Sequence, residues 1–194
     1  YDISRSGLES WFQDNIPYAL EQYGLPTNFD NPIVGIGFHA EYDEKYDRIL
    51  LTKKDLKPTS GFLNQHNSGN VTFNATSKQF INKQTNQTLE FDDTNLFTPT
   101  GWTVSYDVEL NVWASFHDYI PYKYSRARDV LVSFEKGNRY LWGHQSEGSR
   151  GNFYNTDYFT EFEFIYNAAK DSDKVFYSFG YMVDVTDSQA ASID

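Results

Sequence analysis

The residues able to do chemistry in this chain are few and widely spaced. The four histidines, His39, His66, His117 and His144, lie tens of residues apart and form neither an H-x-H nor an H-E-x-x-H pattern. A metal site draws on two or three convergent imidazoles or carboxylates, and the sequence brings none together. His39 and His117 fall in strand-like stretches, each followed closely by Asp and Tyr. They read as half-buried histidines bonded to a neighbouring carboxylate or backbone carbonyl. Paired carboxylates occur at Asp92/Asp93, Glu161/Glu163 and Asp171/Asp173. Glu161 and Glu163 alternate with Phe162 and Phe164 and so share one sheet face. Such a pair can act as acid and base on a sugar, but it equally marks the solvent face opposite a phenylalanine face, and that is the expectation. The stretch 43–47 lacks the D-x-D-x-D-G spacing of a calcium loop and reads as a turn. There is no G-x-S-x-G, no phosphate-binding loop, and Gly35-Ile-Gly37 lacks the third glycine of a dinucleotide fingerprint. No catalytic, cofactor-binding or metal residue is therefore assigned, and no cofactor is expected.

Aromatic side chains carry more signal. The chain holds 15 Tyr, 16 Phe and 4 Trp in 194 residues. Trp102, Trp113 and Trp142 fall in expected strands, where core or cross-strand packing is the default. Tyr119, Tyr122, Tyr124, Tyr154 and Tyr158 fall in expected connections. These five are the candidate interface residues, for a protein or a sugar partner.

Composition bounds the rest. The length allows one substantial domain or a piece of a larger protein. The absence of cysteine excludes a disulfide scaffold, a thiolate zinc site and a thiol nucleophile. No apolar run approaches the roughly 18 residues of a membrane helix, and no signal-type segment opens the chain. A net charge of −11 argues against nonspecific nucleic-acid binding, because a polyphosphate is repelled.

The elements that must position these residues are mostly strands. The segment 5–25 is the one good helix candidate, with Ser6 or Ser10 as cap, Leu8, Trp11, Phe12 and Leu20 near helical spacing, Pro17 as a break, and Gly24 with Pro26 as a stop. From residue 33 the period changes to two. Hairpins are expected at 36–52, with a turn over 43–47, at 102–116, and at 129–143 with a turn over 135–138. Two further strands are expected at 159–166 and 175–183. The fold class is all-β, built of antiparallel meanders with a short N-terminal helical segment. The stretch 59–100 interrupts the regularity: more than half of it is Ser, Thr, Asn or Gln. It reads as a long decorated loop or small insertion, mobile or docked on a neighbour. Its three N-x-T matches, at Asn70, Asn74 and Asn86, are what such a composition produces by chance. The expected organisation is a helical or linker segment 1–32, a four-stranded meander 33–121 carrying the polar insertion 59–100, and further antiparallel strands over 122–194.

Three segments taken together carry a resemblance. They are 35–55 (GIGFHAEYDEKYDRILLTKKD), 101–121 (GWTVSYDVELNVWASFHDYIP), and 152–155 (NFYN) with 160–167 (TEFEFIYN) and 174–176 (KVF). In this order they resemble the tail nozzle or muzzle proteins of crAss-like bacteriophages, whose pattern runs G-[IV]-H-x-x-[YF]-D, T-K-K-D, W-T-[IV]-S-[YF] and W-x-S-[FY]-H-x-[YF]-x-P. The likeness covers about two-thirds of the chain and omits 59–100. Family members are several times longer, so the chain is expected to be a segment, a processed product or a shortened paralogue. The resemblance implies a virion structural protein, assembled in the bacterial host cytoplasm and not an enzyme. It would form a ring of its own copies with other tail proteins around the DNA exit channel, and an acidic lining would let DNA pass without sticking. The four strands of 33–121 resemble one β-propeller blade, and 129–143 half of the next. The alternative is a glycan-binding β-module with Tyr119, Tyr122, Tyr124 and Trp102 stacking on sugars. A glycoside hydrolase using Glu161 and Glu163 ranks last.

Overall fold

The computed structural model describes residues 8–27, 31–33, 35–144 and 151–159. The chain divides into two compact units, Tyr1–Ser146 and Glu147–Asp194. The expected strands at 159–166 and 175–183, the pairs Glu161/Glu163 and Asp171/Asp173, and most of the third resemblance segment lie outside the described residues.

In the first unit, α1 (Glu9–Asn15) is followed by a 3-10 turn over Ala19–Tyr23. Pro17 separates them, since a proline inside one continuous helix would clash with the preceding turn. The turn ends at Gly24, whose φ of 66° is a left-handed cap conformation. No side chain caps α1, and Ser10 lies within the helix rather than before it. Strands β1 (Gly37–Asp43) and β2 (Arg48–Lys54) form the first hairpin, paired from Asp43↔Arg48 to Gly37↔Lys54. A short strand β3 (Leu56–Pro58) then leads into helix α2 (Ser60–Asn67), whose Phe62 amide bonds the Thr59 hydroxyl at 3.3 Å. Strands β4 (Val71–Asn74), β5 (Gln79–Asn82) and β6 (Thr88–Leu89) make a three-stranded sheet, and β7 (Phe97–Pro99) returns to pair with β3. Strands β8 (Trp102–Asp107) and β9 (Val112–His117) follow, then β10 (Lys123–Ala127), β11 (Val130–Phe134) and β12 (Leu141–Gly143).

The main sheet has the order β1-β2-β8-β9 and is antiparallel throughout. This is the four-stranded meander expected of 33–121, and the all-β class holds. Of the two expectations for 59–100, a decorated loop or a small insertion, the second holds. It folds as α2 with the β4-β5-β6 sheet, and its Phe62, Val71, Phe80, Phe91, Leu96 and Phe97 join Leu20, Leu25, Ile36 and Leu56 in one apolar cluster. Phe62 and Phe97 pack with ring centroids 4.7 Å apart, and Phe62 meets Phe80 at 5.1 Å. Six apolar side chains at wide spacing, four of them phenylalanines, suffice to close a small core in a segment that is otherwise polar.

Alternation divides the main sheet into two faces. One carries Phe38, Lys53, Trp102 and Phe116, and α1 lies on it: Trp11 meets Trp102 and Phe116, each at 4.9 Å, and Phe12 meets Trp113 at 4.7 Å. On this face Lys53, itself buried, donates to the Asn15 and Pro17 carbonyls, both at 2.8 Å, and to Asp55 at 2.6 Å. Asp55 in turn accepts from the amides of Ala19 (3.0 Å) and Leu56 (2.8 Å). The indole of Trp102 adds a bond to the Asn15 carbonyl at 3.2 Å. At Gly101 a side-chain carbon would run into the Lys53 carbonyl, so only glycine lets β8 enter the sheet here.

The second unit is described over 151–159 alone. Strands β13 (Asn152–Phe153) and β14 (Thr156–Asp157) form a tight hairpin there, with Tyr154 and Asn155 both at positive φ.

Asp55→Ala leaves a buried ammonium without its counter-charge and is expected to destabilise the first unit by about 3–5 kcal/mol, the usual penalty for breaking a buried pair from one side. The midpoint of urea unfolding followed by tryptophan fluorescence measures it. Gly101→Ala is expected to lower the same midpoint through the clash with the Lys53 backbone.

Candidate functional site

The first two resemblance segments, 35–55 and 101–121, meet in the first unit. Across the main sheet the residues His39, Thr52, Thr103 and His117 form one continuous cross-strand row, each in register with the next. Sequence spacing hides this row, because it takes one residue from each of four strands. On the face it occupies, the three-stranded sheet β10-β11-β12 packs against β1. Thr52 and Thr103 exchange a hydroxyl bond at 2.8 Å, and Thr52 also bonds the Tyr124 hydroxyl at 2.9 Å. The Thr103 hydroxyl donates to the Tyr119 carbonyl at 2.8 Å. His144 bonds Ser133 at 2.7 Å through Nε2. The rings of His39 and Tyr124 lie 5.0 Å apart, those of His117 and Tyr119 5.4 Å, and those of Tyr119 and His144 5.5 Å. Three histidines separated by up to 105 residues in the chain thus line one buried seam between two sheets.

The seam disfavours charge. Burial lowers the pKa of His39 to about 4, with help from the Lys54 ammonium, while the Pro121 carbonyl offsets part of the shift. Burial likewise takes His117 to about 4, assisted by Arg48 and His144. His144 also falls to about 4 through burial, with Asp43 opposing and Arg48 adding to the shift. Neither ring nitrogen of His39 has a hydrogen-bond partner among the described residues, nor does Nε2 of His117. The expectation of half-buried histidines is met in burial; of the two partners expected, no neighbouring carboxylate bonds either ring, and for His39 the backbone carbonyl of Pro121 is the group that favours its charged form. Asp43 is buried and holds Arg48 at 2.9 Å instead, and Tyr42 bonds Asp47 within the same turn. No group of three or more histidine or acidic residues able to hold a metal ion occurs among the described residues. No helix among them is long and apolar enough to cross a membrane.

The five interface tyrosines divide. Tyr119 and Tyr124 are buried, with 2% and 4% of their surface exposed, and belong to the seam. Tyr119 lies in the connection between β9 and β10, as expected, but is turned inward, and the placement of Tyr124 in a connection is corrected: it lies on β10, a strand of polar sequence (KYSRA) that carries little period-two signal. The β10-β11 turn gives no signal either, since the left-handed position is Arg128 (φ 57°) and not Gly or Asn. Trp102, the fourth stacking residue of the glycan alternative, is enclosed by Trp11, Phe12 and Phe38. Tyr122 is half-buried beside a cleft. Tyr154 and Tyr158 are half-buried in the second unit, where Tyr158 lies 6.1 Å from the Phe153 ring.

Among the exposed large apolar side chains, two groups sit on sheet margins. On the β8-β9 hairpin these are Val108 (37% exposed), Leu110 (68%), Val112 (41%) and Phe116 (56%). Beside or on β12 they are Tyr140 (71%) and Leu141 (60%). Sequence reasoning passed over these residues because alternation places apolar strand residues inside by default. β9 forms one margin of the main sheet, and β12 forms a margin of the second.

No protein-family model, no curated protein and no solved structure matches the chain.

The three seam histidines bind protons less readily folded than unfolded, so the unfolded chain takes up more protons between the two pKa values. Their effect on stability is nil above about pH 6.5 and grows as a loss while the pH falls from 6.5 to 4. Proton NMR titration is expected to place all three imidazole midpoints near 4, and unfolding midpoints are expected to fall between pH 6.5 and 4. Midpoints near 6.5 for the seam histidines would contradict the buried-seam assignment.

Proposed function

We propose that the chain is a virion structural protein, a component of a short phage tail of the nozzle or muzzle type, acting by assembly and not by catalysis. The observation that carries the reading is where the resemblance residues fall. His39, Asp43 and Thr52 come from the first segment; Thr103, Ser105, His117, Tyr119 and Pro121 come from the second. They close the same two-sheet unit as buried or half-buried groups. Lys53, Asp55 and Trp102, from the same segments, hold the N-terminal helix onto the opposite face. Chance matches to a spaced pattern have no reason to converge on a single packing arrangement, whereas the signature of a structural family does.

Assembly is supported by the margins. The exposed apolar side chains of the β8-β9 hairpin and of β12 lie at sheet edges, where a neighbouring chain could add backbone pairing to side-chain burial. The partners are copies of this chain in a ring and other tail proteins, in a virion assembled in the bacterial cytoplasm. The charge of −11 suits a ring that DNA traverses without adhering.

Sedimentation velocity over a hundredfold concentration range tests this reading. Defined oligomers are expected to grow with concentration, and Phe116→Lys combined with Leu141→Lys is expected to shift them toward monomer by at least tenfold in apparent dissociation constant. A monodisperse wild-type monomer across the whole range would overturn it.

A further inference from the structure

A cleft of about 200 Å³ opens in the first unit where four segments of chain meet. The β2-β3 junction supplies Lys54 and Leu56, and the insertion supplies Phe91 and Pro99. The stretch before β10 supplies Ile120 and Tyr122, and the β11-β12 connection supplies Lys136. Its walls are mainly apolar. This volume lies below the roughly 300–1,000 Å³ of pockets for drug-sized ligands, so an occupant must be compact.

The charges in the cleft are unequal. Lys136 is satisfied by Asp92 at 2.7 Å, and both are exposed. Asp55 is saturated by Lys53 and two backbone amides. Lys54 is different. Its ammonium is half-buried, donates to the Pro32 carbonyl at 2.5 Å and lies 4.9 Å from the centre of the Tyr122 ring, but no carboxylate bonds it among the described residues. Burial and the nearby Lys136 both lower its pKa, the marks of a cation that lacks an anion. In a chain carrying a net charge of −11, a partly desolvated lysine that no carboxylate bonds among the described residues, beside an apolar hollow, is a specific arrangement.

We propose that this cleft binds a carboxylate carried on a compact apolar body, with the anionic head on Lys54 Nζ and the body against Leu56, Phe91, Pro99 and Ile120. A charge-assisted bond to the ammonium would supply the missing anion, and burial of the body would supply the remaining affinity. The same chemistry is offered by a free small carboxylate and by the carboxy-terminus of a peptide ending in an apolar residue. The site is independent of the ring-assembly reading, since it lies within one copy of the chain.

The test uses the full chain, isotope-labelled, and follows amide and lysine Nζ NMR signals. The probes are N-acetyl-phenylalanine, its carboxamide, and a pentapeptide ending in phenylalanine with a free or an amidated terminus. The free acid is expected to shift Lys54, Ile120 and Tyr122 saturably with a dissociation constant of about 1 mM or tighter, and the carboxamide to bind at least tenfold more weakly. Lys54→Met is expected to abolish that difference. Ile120→Trp, which fills the hollow and keeps Lys54, is expected to abolish binding. Binding of the free-terminus peptide as well supports a chain end as the source; binding of the small acid alone supports a free metabolite-like carboxylate. Equal shifts from acid and carboxamide on the wild-type chain, or no shifts at about 5 mM acid, would sink the proposal without touching the assembly reading.

Discussion

The buried ion pair of Lys53 and Asp55 is the interaction on which the rest of the first unit depends. Taking an ammonium and a carboxylate out of water is unfavourable by several kcal/mol for each ion, and attraction alone repays that poorly. The pair persists because every remaining hydrogen-bonding direction is used. The ammonium reaches the carbonyls of Asn15 and Pro17, where α1 has ended and no helical amide is available to them, and the carboxylate receives the amides of Ala19 and Leu56. A helix terminus leaves carbonyls orphaned, and here a lysine from a neighbouring strand satisfies them. The N-terminal segment is thereby fixed on the sheet, and Trp11 and Phe12 are delivered to the indoles of Trp102 and Trp113.

The opposite face is closed by different chemistry. A sheet-on-sheet interface is ordinarily apolar, yet this one mixes Leu50 and Leu131 with Thr52, Thr103, Ser133 and three imidazoles. Hydroxyls satisfy one another in pairs, so most of the polar groups need no water. Directional bonds of this kind set how the second sheet is seated with less latitude than an all-leucine interface would allow. The imidazoles are tolerated only as neutral rings, which ties the seating of the second sheet to proton concentration.

Much of this architecture was legible from residue pattern, and the rest was hidden for definable reasons. The hairpins of β1-β2, β8-β9 and β11-β12 announce themselves by alternation and by polar turns. Strand β10 does not, since KYSRA is polar at three of five positions without alternating and its turn uses Arg128 at a positive φ. By composition the stretch 59–100 reads as either a loop or a small insertion, and only the packing of Phe62, Phe80, Phe91 and Phe97 decides for the insertion. The row His39–Thr52–Thr103–His117 could be read only after strand register was known, because a cross-strand row has no sequence period. Tyr119 and Tyr124 show the same limit: a tyrosine in an apparent connection carries no mark of whether its hydroxyl meets solvent or a buried threonine.

Three successive residues, Lys53, Lys54 and Asp55, alternate between the two faces of the sheet. The outer two are neutralised beneath α1, and the middle one faces the cleft. A slip of β2 by a single residue would drive Lys54 under the helix with no carboxylate at the right distance and would turn Lys53 and Asp55 toward the opposite layer. Misaligned pairings are thus penalised by stranded charge as well as by poor packing. The strand and the residue that follows it carry their own proofreading, written in three adjacent charged side chains, so that only one alignment of the meander leaves the buried Lys53 and Asp55 matched to each other.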